Sequence, residues 1–286
     1  MASARLIKRR IRSAQNIAKI TRAMEMVAAS KMKKAQQLAV LGKPYAQRIY
    51  SATRELAART DKNYHPLLSL GNPEGKLLII LISTNKGLCG GLNTNLFKLV
   101  YTLFDQQKNI DYISVGKKGQ SYIVKTGKNL VADFSDRVPF TQCVSPLALF
   151  IIDGFIKGNY KEVNIVYTSF INPLRQEAVK KPILPLGIFE EKDNSTDDKI
   201  YEFLLEPSID DILSNLLPHY IENQIRAAIL EAEASEHSAR MIAMRNATDA
   251  ALDLMQELTL IFNKARQEKI TYEIADMVTA RMAVEI

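Results

Sequence analysis

Between residues 3 and 58 the only glycine is Gly42 and the only proline is Pro44, and residues 219–286 contain neither. Glycine and proline are the strongest interruptions a helix meets. Both ends of the chain therefore read as long unbroken helices, and the middle does not. Counted from Ser208 to Arg281, a continuous helix is roughly 110 Å long at about 1.5 Å per residue. An average globular helix has only about 11–12 residues. Two such rods flanking a compact middle predict a shaft with a head or foot built from the central segment.

At 286 residues with 47 % apolar residues, the chain suits one or two packed domains. The longest apolar runs, Leu77–Ile82 and Leu147–Ile152, are far shorter than the roughly 20 residues a membrane helix needs. The basic start has no apolar core behind it, so no signal peptide is expected, and the helical pattern runs on too evenly for a transit peptide. Cys89 and Cys143 are the only cysteines, with no CxxC pair, which fits a reducing compartment. His65, His219 and His237 are scattered and share no metal-ligand spacing. No cofactor and no metal is expected.

The net charge of +7 is unevenly placed. Residues 1–34 hold ten cations and the single anion Glu25, a balance of +9, so the remainder, 7 minus 9, carries −2. A basic first helix predicts an acidic partner: nucleic acid, an anionic membrane surface or an acidic protein loop.

The first helix, residues 4–58, carries two neighbouring apolar rows at heptad spacing. One is Ile17, Ile20, Met24, Val27. The other is Ile7, Ile11, Ala14, Ala18, Thr21, Ala28, Met32, Ala35, Ala39, with Glu25 as its polar intrusion. Both read as core stripes. In the last helix Ile225, Ala228, Ala232, Ser235, Ala239 and Ile242 form one row. After a phase slip, Ala247, Ala251, Leu254, Leu258, Ile261 and Ala265 form a second. Two such helices at opposite chain ends can pair antiparallel. Pro218 leaves three options open: a separate short helix over 208–217, a kinked rod, or the first turn of a new helix.

Between the rods, residues 60–75 read as a linker. Strands are expected at 76–83, 111–115, 129–133 and 162–170, and helices at 92–107, 117–126 and 146–157. The alternation predicts a parallel, doubly wound sheet. Residues 183–189 and 200–205 are expected to add strands around a solvated acidic loop. The predicted fold class is α/β: an antiparallel coiled coil of long terminal helices plus a central doubly wound, Rossmann-like domain. Its segments are 1–60 (N-terminal coiled-coil helix), 61–207 (central domain) and 208–286 (C-terminal coiled-coil helix).

The glycine-rich turn Asn85–Asn93 follows the first strand, where a nucleotide fold would place its phosphate loop, yet has neither GxGxxG nor GxxxxGK[ST]. Gly87, Gly90 and Gly91 instead predict tight-turn angles and close helix–sheet contact. The run Glu190, Glu191, Asp193, Asp197, Asp198 lacks the glycine and ligand order of a calcium loop. Cys89 has no histidine partner in sequence context and reads as a small packed thiol. No residues stand out to catalyse a reaction or hold a small-molecule substrate.

Four segments carry a resemblance: ITRAMEMVAASKMKKAQ (20–36), LCGGLNTNLF (88–97), ASEHSARMIAMRNATDA (234–250) and NKARQEKITYE (263–273). In order, and over essentially the whole chain, they resemble the gamma subunit of F-type ATP synthase. One departure lies at the end, where bulky Arg281 and Met282 stand where the family usually has small residues. The resemblance implies a central rotor stalk, non-catalytic itself, whose paired helices sit inside a ring of alternating alpha and beta subunits. Its central domain would meet the epsilon subunit and the membrane rotor ring of c subunits. Met24, Arg240, Arg266, Gln267 and Thr271 match the family's beta-subunit contact positions. Read from the residues alone, Met24 is also consistent with coiled-coil core, and Arg240 and Arg266 with a solvated face. The expected location is peripheral, on the cytoplasmic side of a bacterial inner membrane. The competing readings are a nucleic-acid-binding protein with a basic helical arm and an α/β enzyme with helical extensions.

Overall fold

A computed structural model describes residues 4–58, 65–69, 71–105, 107, 109–186 and 209–284. In chain order the elements are α1 (Ala4–Ala58), β1 (Lys76–Ile82), α2 (Leu92–Phe104), β2 (Ile110–Val115), α3 (Lys117–Lys125), β3 (Asn129–Asp133), α4 (Val144–Ile156), β4 (Tyr160–Asn172), β5 (Arg175–Leu184) and α5 (Ile209–Val284). A 3-10 turn at Phe140–Cys143 leads into α4. The chain divides into two compact units, residues 1–29 with 240–286, and residues 30–239.

The terminal rods form as the residue pattern requires. α1 has 55 residues and continues through Pro44; α5 has 76 and continues through Pro218. Neither a separate helix at 208–217 nor a fresh start at Pro218 occurs. A proline inside a helix costs about 3 kcal/mol. On either side of it Leu213, Leu217 and Ile221 are completely buried, and each such side chain contributes about 1.5–3 kcal/mol. Packing therefore outweighs the missing donor.

In the unit of residues 30–239 the five-stranded sheet has the order β3-β2-β1-β4-β5. β1 to β4 run parallel, and β5 returns antiparallel to β4. Central β1 is buried on both faces from Leu77 to Ile82, which is why it reads as a solid apolar run. Leu77, Ile79 and Leu81 pack with Leu96, Val100 and Phe104 of α2 and Ile123 of α3. Leu78, Ile80 and Ile82 pack with Leu147 and Ile151 of α4, Ile49 of α1, and Leu213, Leu217 and Ile221 of α5. Helices cover both faces, so the sheet is doubly wound. Along this unit α1 and α5 run antiparallel: the Tyr50 ring lies 6.2 Å from that of Tyr220, and Lys31, lower on α1, acts on Glu233, higher on α5.

Three local expectations are corrected. The added strand β5 starts at Arg175, eight residues before the expected 183. Its sequence RQEAVKKPIL places charges and Pro182 on an edge strand, where no further neighbour needs the missing donor. The segment taken as a linker drives Leu67 and Leu68 into the core. In the glycine-rich turn Gly90 and the non-glycine Leu88 take left-handed φ angles, 59 and 63, while Gly87 does not and has nothing near a would-be Cβ. The close approach belongs to Gly116, where a Cβ would stand 2.2 Å from the Ser83 carbonyl oxygen at φ 109. The strand expected at 200–205 and the acidic run 190–198 lie outside the described residues.

Candidate contact surface of the terminal helices

The unit made of residues 1–29 and 240–286 contains all five candidate contact residues. On α1 one of the two apolar rows packs: Ile7, Ala14, Ala18, Thr21 and Ala28 are buried. The other does not. Ile17, Ile20 and Val27 are 51, 60 and 57 % exposed, and Met24 is half-buried. The expectation that both rows are core is therefore corrected. Alanines let a partner helix come close, and the bulky row beside them is left outside the narrow seam they define.

On the part of α5 in this unit, the buried positions among the described residues are Arg240, Met244, Thr248 and Ala251, at helical spacing on one face. Of the second predicted row only Ala251 is buried; Leu254 and Ile261 are exposed. Within the seam the Thr21 and Thr248 hydroxyls meet at 2.7 Å. Thr248 Oγ1 also lies 2.9 Å from the Met244 carbonyl, and Thr21 Oγ1 3.0 Å from that of Ile17. Both polar groups are thereby satisfied among alanines, and a paired polar position specifies register.

Arg240 is only 9 % exposed, which overturns the solvated-face reading for that residue. Arg266, Gln267 and Thr271 are exposed. Gln267 and Thr271 stand four apart on one face, and the Thr271 hydroxyl donates to the Gln267 carbonyl at 3.0 Å. Arg240 and Arg266 lie 26 residues apart on one helix, roughly 39 Å at about 1.5 Å per residue. The five residues thus form no single pocket; they sit at separate levels along paired rods.

The outer surface of this unit mixes charge and apolar area. Arg5, Lys8, Arg9, Arg10, Arg12, Lys19 and Arg22 are all exposed. So are Leu6, Met26, Leu260, Tyr272 and Met277. Large apolar side chains exposed at this density mark an interaction surface. In the other unit a largely apolar groove of about 500 Å³ is lined by Leu38, Ala39, Phe170 and Leu230, with Arg226 and Glu231 among its polar walls.

Chemistry at the sheet is not supported. A doubly wound sheet binds ligands beyond the carboxyl ends of its strands, where the order reverses. There, between β1 and β4, α5 inserts Ala232, Glu233 and Glu236, leaving a cavity of about 10 Å³. Two carboxylates in the one crevice fit no phosphate. Both cysteines are buried; burial pushes the Cys143 thiol up to about 11, and the Asn93 amide donates to Cys89 Sγ at 3.4 Å. Among the described residues no group of histidine, cysteine or carboxylate side chains is placed to hold a metal.

A family model described as ATP synthase matches residues 3–284. The ATP synthase gamma chain of Dehalococcoides mccartyi is 42 % identical over 290 residues, covering 99 % of this chain and all of the relative. The chain belongs to the ATP synthase gamma chain family. The gamma chain of Methylacidiphilum infernorum is also 42 % identical, over 296 residues and with the same coverage. Among solved structures, the rotor of the Euglena gracilis mitochondrial ATP synthase shares the fold. Its TM-score is 0.64 at 22 % identity, over 94 % of this chain and 99 % of that one. A second rotational state of the same enzyme gives 0.69, over 99 % and 94 %. Among the described residues no helix of this family member is long and apolar enough to cross a membrane.

Proposed function

We propose that this chain is the central rotor stalk of a proton-translocating F-type ATP synthase and is not itself catalytic. The observation that carries the reading is the pair of long helices whose outer face presents cations and large apolar side chains while its seam is lined by alanine. The helical unit occupies the bore of the alpha–beta ring. The sheet unit meets the epsilon subunit and the membrane rotor ring, and its apolar groove is surface that a lone chain would not leave bare. Residues 1–60, 61–207 and 208–286 serve as first coiled-coil helix, foot and second coiled-coil helix. The chain is peripheral, on the cytoplasmic side of a bacterial-type inner membrane.

The mechanism follows from asymmetry. A single chain inside a ring of repeated subunits presents a different face to each beta subunit. Turning the chain shifts each beta subunit among states that bind substrate, make ATP and release it, because the contact free energy differs between those states. Exposed charge contacts of the Arg266 kind are worth at most about 1 kcal/mol each, which suits contacts broken and remade at every step. Met24, Arg240, Arg266, Gln267 and Thr271 are the proposed beta-subunit contacts. Arg240, being buried, acts by holding the seam as much as by touching a partner.

Reconstitution tests this reading. Added to alpha and beta subunits, the chain should assemble and give ATP hydrolysis that drives proton pumping when joined to the membrane sector. If the chain fails to assemble and instead binds random duplex DNA with a steep loss of affinity as salt rises, the nucleic-acid reading replaces it.

A further inference from the structure

The crevice between β1 and β4 contains an unusual set of groups. Thr168 on β4 is 5 % exposed, and its hydroxyl has no hydrogen-bond partner among the described residues. It lines a cavity of about 10 Å³ together with Glu233 and Glu236, one turn apart on α5. That volume holds about one water molecule. The other walls are Ile82, Leu92, Phe140 and Ala232, with Ser83 and Thr84 at the end of β1. The Thr84 and Ser83 hydroxyls are engaged elsewhere, donating to the Lys86 and Gly116 carbonyls. The Phe140 backbone and, from α1, the Lys31 ammonium act to lower the Glu233 carboxyl, against its burial.

We infer that this cavity is a binding site for one ordered water, held by Thr168, Glu233 and Glu236, which fastens α5 to the carboxyl edge of the sheet. The count of donors and acceptors selects water. Carboxylates accept only, and a threonine hydroxyl can donate one bond. A water that donates to both carboxylates and accepts from Thr168 makes three bonds, the usual number for a buried water. A dry void is disfavoured because such voids are apolar, and this one has three polar walls. A metal ion is disfavoured by ligand number. Calcium takes six to eight oxygens, and magnesium keeps several waters of its own, whereas the cavity has room for one particle. Burial and the charge of Glu236 push the Glu233 carboxyl above its ordinary range, so a donor placed between the two relieves a real cost. The site stands on the local geometry of this unit and not on the rotor assignment.

Backbone hydrogen exchange at residues 230–237 of the full-length chain reads the fastening. Thr168→Val keeps shape but removes the only donor that the water accepts. Exchange there should speed up about fivefold, the worth of one net hydrogen bond, and Thr168→Ser should restore it. Unchanged or slower exchange in Thr168→Val means a dry cavity with an orphaned hydroxyl, and overturns the inference. So does slower exchange in the unmodified chain on adding calcium or magnesium chloride. A high-resolution map of the unmodified chain decides independently of any variant. A single peak about 2.7–3.0 Å from Thr168 Oγ1 is expected. An empty cavity, or a peak with shorter metal-like distances of about 2.3 Å, contradicts it.

Discussion

At the scale of single residues, the Thr21–Thr248 contact does the most specific job in the helical unit. Each hydroxyl also reaches a carbonyl of its own helix, so removing one leaves the other still partly satisfied. Thr21→Val and Thr248→Val are each expected to cost about 1 kcal/mol. The double variant should cost less than the sum, because the second change removes a group that has already lost its cross-helix partner. Denaturant midpoints of the four proteins check this; strict additivity would mean that the hydroxyls do not interact. Glu233 gives a pH signature. Its carboxyl is raised by burial and by Glu236. The folded form therefore holds its proton to higher pH than the unfolded form does. Stability contributed by this group is greatest below the ordinary glutamate range and is lost as pH rises through the raised value. Glu233→Gln should be more stable than the unmodified chain at neutral pH and equal to it below about pH 4. Urea midpoints across that range test the sign.

At the scale of elements, α5 is held by the β4–β5 hairpin as well as by the core. Lys181 contacts Gln224, Ser169 donates to Glu231 at 2.9 Å, and Ser238 donates to the Pro173 carbonyl at 2.7 Å. These contacts span 14 residues of α5, roughly 21 Å at about 1.5 Å per residue. Ser238→Ala is expected to cost about 1 kcal/mol and to raise hydrogen exchange at residues 173–176 while leaving β1 unchanged. Uniform acceleration across the sheet would show the contact to be incidental. The hairpin is also where the sequence was hardest to read. A strand carrying Arg175, Glu177, Lys180, Lys181 and Pro182 has no apolar run, because an edge strand needs none. β1, buried on both faces, was plain from KLLIILI. The heptad rows of α1 were visible as periodicity, but not which of them packs. That depends on the narrow alanine seam, and bulky Ile17, Ile20 and Val27 are exposed because the seam excludes them. Of the two candidate contact residues read as a solvated face, Arg266 is exposed and Arg240 is not. The burial of Arg240 follows from its phase with Met244 and Thr248, one position away from the row that small residues suggested.

At the scale of the whole molecule, the proposed role is mechanical. Because Arg240 is buried, its loss would disturb the seam as well as any contact. Arg266→Ala with Thr271→Ala is the cleaner probe, since both side chains are exposed. This double variant should keep its melting temperature and assemble normally, yet show a severalfold lower ratio of proton pumping to ATP hydrolysis. An unchanged ratio would remove these residues from the coupling contact. The most direct measurement attaches a visible label to the exposed foot residue Lys98 of this chain in an assembled, surface-anchored complex and supplies ATP. Sustained rotation of the label in one direction is expected, stopping when ATP is withdrawn. A label that stays fixed or only jitters while ATP is hydrolysed at full rate would contradict the proposed role.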